Sequence, residues 1–102
     1  MDIEVVDVPE RHRFEARVGG EVAGYIAYQD RTDATELIHT EVQPAFEGKG
    51  VGSALVRQVL DGIKGRGGQM IPTCPFVTEY VRRHPEYVDL VVEAKRAQFR
   101  QR

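Results

Sequence analysis

The run "EGKGVG", residues 47–52, constrains this chain more than any other part of it. Gly48, Gly50 and Gly52 stand at alternate positions between a strand-like segment closed by Pro44 and an apolar helical stripe that begins near Gly50. Known phosphate loops do not match. A Walker A loop needs Lys followed by Ser or Thr, whereas Lys49 lies between glycines, and a dinucleotide fingerprint needs G-x-G-x-x-G where this chain has G-x-G-x-G. Two physical readings remain. A tight β-to-α turn needs small residues, and so does a backbone cradle in which free N–H groups at the positive end of a helix meet a phosphate.

The flanking pattern predicts one α+β domain over residues 1–102, with the order β-β-β-α-β-α and a mostly antiparallel sheet. "RFEARV" (13–18) alternates polar and apolar residues, "GGE" (19–21) is a turn, and "VAGYIAYQD" (22–30) completes a hairpin. "TELIHTEV" (35–42) is a third strand, with Leu37, His39 and Glu41 on one face and Ile38, Thr40 and Val42 on the other. The spacing of Val51, Leu55, Val56, Val59, Leu60 and Ile63 predicts a helix from Gly50 to about Lys64, stopped by the glycines of "KGRGG". "QMIPTC" (69–74) is a short, central strand. A second helix runs from Pro75 to about Arg83, ahead of Pro85, with Phe76, Val77, Tyr80 and Val81 on its inner side. "PEYVDLVV" packs as a turn and a short extended piece, and residues 91–102 form a polar tail, a frayed helix or disorder.

Bulk properties narrow the function classes. Fourteen basic residues against 16 acidic ones give a net charge of −2, which offers no basic excess for nucleic acid or an acidic membrane. The single cysteine excludes an internal disulfide and a multi-cysteine zinc site, and the histidines lack metal-ligand spacing, so no metal is expected. The opening "MDIEVVDVPERHRFE" is charged and lacks the apolar core of a signal peptide, so a cytoplasmic location is expected.

"VQPAFEGKGVGSALVRQVL" resembles the acetyl-coenzyme A signature of the GCN5-related N-acetyltransferases, [RQ]-x-x-G-x-[GA] after a Val-x-Pro strand end. Gly50 and Gly52 are the matching glycines, and Glu47 stands where Arg or Gln is usual. With "HTEV" and "PTCPFVTEYVRRHPEY", the chain is similar to the small, single-domain YjdJ-like branch of that superfamily, over roughly residues 12 to 91. The resemblance implies a compact acyltransferase fold, with acetyl-CoA as cosubstrate and a primary amine as acceptor. It implies that the amides from Phe46 through Glu47, Gly48, Lys49, Gly50, Val51 and Gly52 hold the pyrophosphate. Val42, Cys74 and Pro75 would border the pantetheine in a gap between strand 35–42 and the strand near 69–73. Lys49 or Arg57 could add charge, and the chain would act as a monomer or homodimer.

Three side chains are candidates for the chemistry. Cys74 precedes Pro75 at a helix start, where the dipole favours a thiolate; it is either a nucleophile or base, or a small buried hydrophobe. His39 and Glu41 share a strand face and offer a base for an amine, with Glu36 as a rival and Tyr80 as an acid. His84 suits the end of a helix, and His12 the surface. A coenzyme A-binding module with little or no transfer is the alternative function.

Overall fold

The computed structural model describes residues 1–100. Five strands form one sheet in the order β1-β2-β3-β4-β5: β1 (Glu4–Val8), β2 (Arg13–Val18), β3 (Glu21–Asp30), β4 (Thr35–Val42) and β5 (Met70–Pro72). The first four pair antiparallel as a meander, and β5 pairs parallel to β4. Helices α1 (Val51–Gly65) and α2 (Pro75–Arg83) flank β5 in the chain. The α+β class holds, and the order gains one strand: β1, which precedes the segment where the sequence pattern begins. Its five residues EVVDV bury only Val8 fully, so the periodic signal is short and charged at both faces.

β5 is an edge strand, not the central one that its apolar residues suggest. Met70 is fully buried all the same, because Val91 forms a parallel bridge to it and Val92 N–H donates to Met70 O at 3.0 Å. The segment after α2 thus does the covering that a sixth strand would do. It runs through 3-10 turns at Pro85–Leu90 and Glu93–Phe99, and Phe99 is buried. The polar tail is therefore tied down up to that ring; residues 101 and 102 lie outside the described part.

The core lies between one sheet face and the helices. Phe14, Ala16, Ile26, Tyr28 and Leu37 meet Leu55, Val56, Val59, Leu60 and Ile63 of α1 with Val77 and Val81 of α2. Fully burying each of these large aliphatic side chains stabilises the fold by about 1.5–3 kcal/mol. Phe76, placed by helical periodicity on the inner side of α2, is instead 43% exposed. Two buried tyrosines keep their hydroxyls paired, Tyr28 to Asp7 at 2.7 Å and Tyr87 to Asp61 at 2.6 Å. The carboxylate hydrogen bond, with burial, pushes the Tyr87 phenol up to about 12. Among the described residues no helix is long and apolar enough to cross a membrane.

One irregularity sets the site. Between β3 and β4 the register steps from Ala27↔His39 to Tyr28↔Leu37, which leaves Ile38 as the extra residue of a bulge. A bulge breaks the alternation, so Leu37 and His39 do not share a face as strict period two requires. Leu37 is fully buried against the helices, while His39 and Glu41 are exposed on the opposite face.

Candidate active site

β4 runs on after its partner stops. The parallel pairing ends at Leu37↔Pro72, and the last link is Cys74 N–H donating to Leu37 O at 2.8 Å. Gln43 N–H donates to Ala23 O, which fixes the alternation. Thr40 and Val42 therefore turn their backbone groups away from β3, toward the opened edge. β5 has ended at Pro72 by that point, so the edge of residues 40–42 has no strand paired to it.

Pro44 ends β4 and starts a 3-10 turn through Phe46, after which the chain enters α1 through the glycines. Gly48 and Gly50 have φ of +78° and +79°, the left-handed region that costs other residues most, and a Cβ on either would meet nothing within 4 Å. They are needed for the backbone path and not for packing. Gly50 is the N-cap of α1 and offers no side-chain cap. Among the described residues, no amide from Gly48 through Lys49, Gly50, Val51 and Gly52 to Ser53 has a well-formed backbone acceptor. Successive bare N–H groups stand at the positive end of a fifteen-residue helix, an arrangement whose electrostatics favour negative charge. A cavity of about 240 Å³ adjoins it, lined by Val42, Phe46, Glu47, Gly48, Gly50, Val51, Gly52, Ser53 and Phe76.

Gly52 serves a different purpose from its neighbours. A Cβ there would stand 2.8 Å from Phe76 Cζ, so its hydrogen makes room for that ring. Phe76 in turn lines a second cavity of about 160 Å³ with Ser53, Glu79, Tyr80, Arg83 and His84. Tyr80 and His84 stack there with ring centroids 4.2 Å apart. Burial, as the leading cause, raises the Tyr80 phenol above its ordinary value.

Cys74 is the N-cap of α2, with Pro75 at the first helical position. Its side chain is 2% exposed, and Sγ shares a 3.2 Å hydrogen bond with Thr40 Oγ1. His39 and Glu41 form a separate pair on the other face of β4. His39 Nε2–H donates to Glu41 Oε1 at 2.7 Å, and Tyr25 O–H to the same oxygen at 3.4 Å. The hydrogen bond from His39, first, and its charge lower the Glu41 carboxyl from its ordinary value. The three candidate side chains thus fall into two groups: Cys74 with Thr40 toward the helices, and His39 with Glu41 on the open face. Glu36 is tied to Thr73 and Arg31, and the Thr73 hydroxyl leads in lowering its carboxyl.

Sequence reasoning missed Thr40, Phe76, Ser53 and Tyr25 as members of the site. Thr40 shares a strand face with Val42, which was a usable signal. Tyr25 stands opposite Glu41 only once the β3/β4 register is known.

A four-stranded antiparallel meander, a glycine turn into a bare helix start, and a parallel edge strand that parts from β4 define the class: an acyltransferase-type α+β domain. The chain belongs to the GCN5-related N-acetyltransferases, whose family model matches residues 13–90, and is thereby a member of an acetyltransferase family. It is 41% identical over 61 residues to the N-alpha-acetyltransferase RimI of Mycobacterium tuberculosis, a match covering 56% of this chain and 39% of that protein. The chain therefore spans about two-fifths of the length of this curated relative. The solution structure of a GCN5-like protein from Staphylococcus aureus superposes with a TM-score of 0.65, over 87% of each chain at 20% identity, which shows the shared fold.

Proposed function

We propose that this chain is an acetyl-CoA-dependent N-acetyltransferase that moves an acetyl group to a primary amine. The observation that carries the reading is the strip of bare amides from Gly48 to Ser53 beside the 240 Å³ cavity, which follows the stretch of β4 that has no β5 partner. The pieces fit a long ligand with a phosphate-bearing middle and an amide-containing arm. The amides from Gly48 to Ser53 would receive the pyrophosphate, without the expected Phe46 and Glu47, whose N–H groups already donate to Gln43 O and Pro44 O in the 3-10 turn. The free edge of Thr40 and Val42 would hydrogen-bond the arm beside Cys74 and Pro75. Glu47 is exposed and is not required by the backbone cradle. The coenzyme supplies an activated thioester. Everything else falls to the chain: orienting that thioester, which turns a bimolecular encounter into a positioned one, and removing a proton from the acceptor amine.

The His39–Glu41 pair is the base in this reading, because it is solvent-accessible and already hydrogen-bonded for proton transfer. Cys74 Sγ, hydrogen-bonded to Thr40 and nearly enclosed, lies on the coenzyme side and would take the acetyl group directly only after leaving that contact. This enclosure also favours the second reading, a coenzyme A-binding module with little or no transfer. Calorimetric titration with acetyl-CoA and with coenzyme A, followed by a turnover assay on a panel of amines, separates the two. Saturable binding with turnover supports the transferase, binding alone supports the module, and no binding to either removes both.

A further inference from the structure

The sheet face turned away from both helices holds His39 and Glu41 in a set of contacts that the core does not require. Register places Glu41 opposite Tyr25, and His39 opposite Ala27, whose small side chain leaves the imidazole room. The His39 and Tyr25 rings stand edge to face with centroids 6.3 Å apart. Both side chains address one oxygen: His39 Nε2–H donates to Glu41 Oε1 at 2.7 Å, and Tyr25 O–H at 3.4 Å. Tyr25 is held in turn. The Arg13 guanidinium lies 4.5 Å from its ring centroid, and Arg13 Nε donates to Glu15 Oε2 at 2.9 Å. Glu15 is only 2% exposed and also accepts from Arg17 Nη2 at 2.8 Å, so the far end of this chain of contacts is fixed.

That arrangement divides the polar atoms of the pair. Among the described residues, Glu41 Oε1 has two donors, whereas His39 Nδ1 has no hydrogen-bond partner. A neutral imidazole carries one proton, so donation through Nε2 leaves Nδ1 as a bare acceptor. The carboxylate is the poorer proton acceptor, because the His39 hydrogen bond, first, and the His39 charge hold it below its ordinary value. The other charges on this face near the ring are Arg13, which lies over Tyr25, and Glu36, which Arg31 and Thr73 already occupy. β5 ends at Pro72, so no strand is paired to β4 beside the imidazole.

We propose that His39 Nδ1 is the atom that takes the proton from the acceptor amine, with Glu41 and Tyr25 as positioning residues that hold the ring and its tautomer. The inference rests on the transferase reading above and assigns its proton step to one atom. The neutral amine nitrogen attacks the thioester carbonyl, so that the N–C bond forms and the C–S bond breaks. The coenzyme leaves as a thiolate, and the proton shed by the nitrogen passes to Nδ1. Glu41 Oε1, 2.7 Å from Nε2, then faces an imidazolium of opposite charge. The ring returns to neutrality by giving that proton to the thiolate or to solvent. Tyr25 touches neither amine nor coenzyme; its hydroxyl fixes Oε1, and its ring borders the imidazole.

The test uses the full chain, acetyl-CoA and the amine panel of the assay above, with the nitrogen-15 resonances of the His39 ring read on the same protein. With the ring neutral, the wild type should show Nε2 protonated and Nδ1 bare, and Glu41→Leu should mix the two tautomers. The acid limb of the kcat/KM profile should share its midpoint with the titration of His39. Both should move to lower pH in Glu41→Gln, since an imidazolium that loses its anionic partner deprotonates more readily. His39→Gln should lower kcat by about 10²-fold or more and erase that limb. Tyr25→Phe, which keeps the ring beside Arg13, should lower kcat about threefold with KM unchanged, and Tyr25→Leu should lower it further. A proton on Nδ1 of the neutral wild-type ring, an acid limb that persists in His39→Gln, or wild-type kcat in Tyr25→Phe would overturn the proposal. Turnover accompanied by any of those results leaves the transferase reading standing, whereas no turnover with any amine removes both.

Discussion

Two glycine-to-alanine substitutions each place a new methyl closer than 3 Å to a neighbour, yet they should differ widely in outcome. At Gly52 the added Cβ would lie 2.8 Å from Phe76 Cζ and 3.2 Å from Cε2. Restoring ordinary carbon contact needs the ring to move by about 1 Å. Phe76 is 43% exposed, so it can swing at a rotamer cost of about 0.5–1.5 kcal/mol. Alanine recovers up to about 1 kcal/mol of helix propensity in the same place. Net stability should therefore change by less than about 1 kcal/mol, a shift of a few degrees in melting temperature for a domain of this size. At Gly24 the added Cβ would lie 2.6 Å from the backbone oxygen of Glu41 and 3.3 Å from Val42 Cα. Neither atom can move without parting β3 from β4. The cost there is about 1–3 kcal/mol or more, and the melting temperature should fall by roughly 10 °C. Function should sort the other way. The displaced Phe76 ring borders both cavities, so Gly52→Ala should weaken acetyl-CoA binding severalfold while the protein stays folded, and adding Phe76→Ala should restore part of the affinity. Thermal denaturation by circular dichroism and calorimetry read the two effects separately. If Gly52→Ala destabilises the chain as much as Gly24→Ala, or if its binding loss is indifferent to Phe76→Ala, the division of labour among the glycines is wrong.

Gly50→Glu should abolish coenzyme binding, since it adds bulk and negative charge at a φ of +79°; calorimetry showing retained affinity would remove the loop from the site. Cys74→Ala should leave binding within about twofold while eliminating any acetyl adduct seen by mass spectrometry, and unchanged turnover would exclude the thiol from the chemistry. Glu47→Arg should tighten binding at low salt by replacing an exposed carboxylate beside the anion site, an effect that surface screening keeps to about 1 kcal/mol or less. Acid stability should follow Glu15. The Arg17 hydrogen bond, with those of Arg13 and both charges, holds its carboxyl below the ordinary value against the opposing effect of burial. A depressed folded pKa contributes stability that is complete above the unfolded value and lost as pH falls through the folded one. Glu15→Gln should therefore cost about 2 kcal/mol at neutral pH and flatten the acid limb of a denaturation profile; parallel limbs for the two proteins would contradict that assignment.

Local chemistry made much of this molecule readable. Pro75 and Pro85 bracket α2, and an unbroken apolar stripe marks α1 to within a residue or two at each end. The glycine turn was legible because positive φ leaves few alternatives to glycine. What stayed hidden depended on pairing. β1 is five residues long and gains its stability from Arg13–Val18 alongside it, so its own pattern says little. The bulge at Ile38 exists because two strands of different register must still close one ladder, and no residue in TELIHTEV announces it. That bulge decides which face His39 occupies, and so separates it from the buried stripe of Leu37. The edge position of β5 was equally invisible, since Met70 is buried by Val91, twenty-one residues further on. Phe76 fits a helical stripe by spacing, yet the space left at Gly52 draws its ring over the start of α1.

The most direct test is a titration of isotope-labelled protein with acetyl-CoA, followed through its backbone amide resonances. Saturable shifts largest at Gly48, Lys49, Gly50, Gly52 and Ser53, with a second group at Thr40, Val42 and Cys74, are predicted. Shifts confined to other parts of the surface, or none at ligand concentrations that saturate related enzymes, would show that the bare amides belong to a tight turn and nothing more.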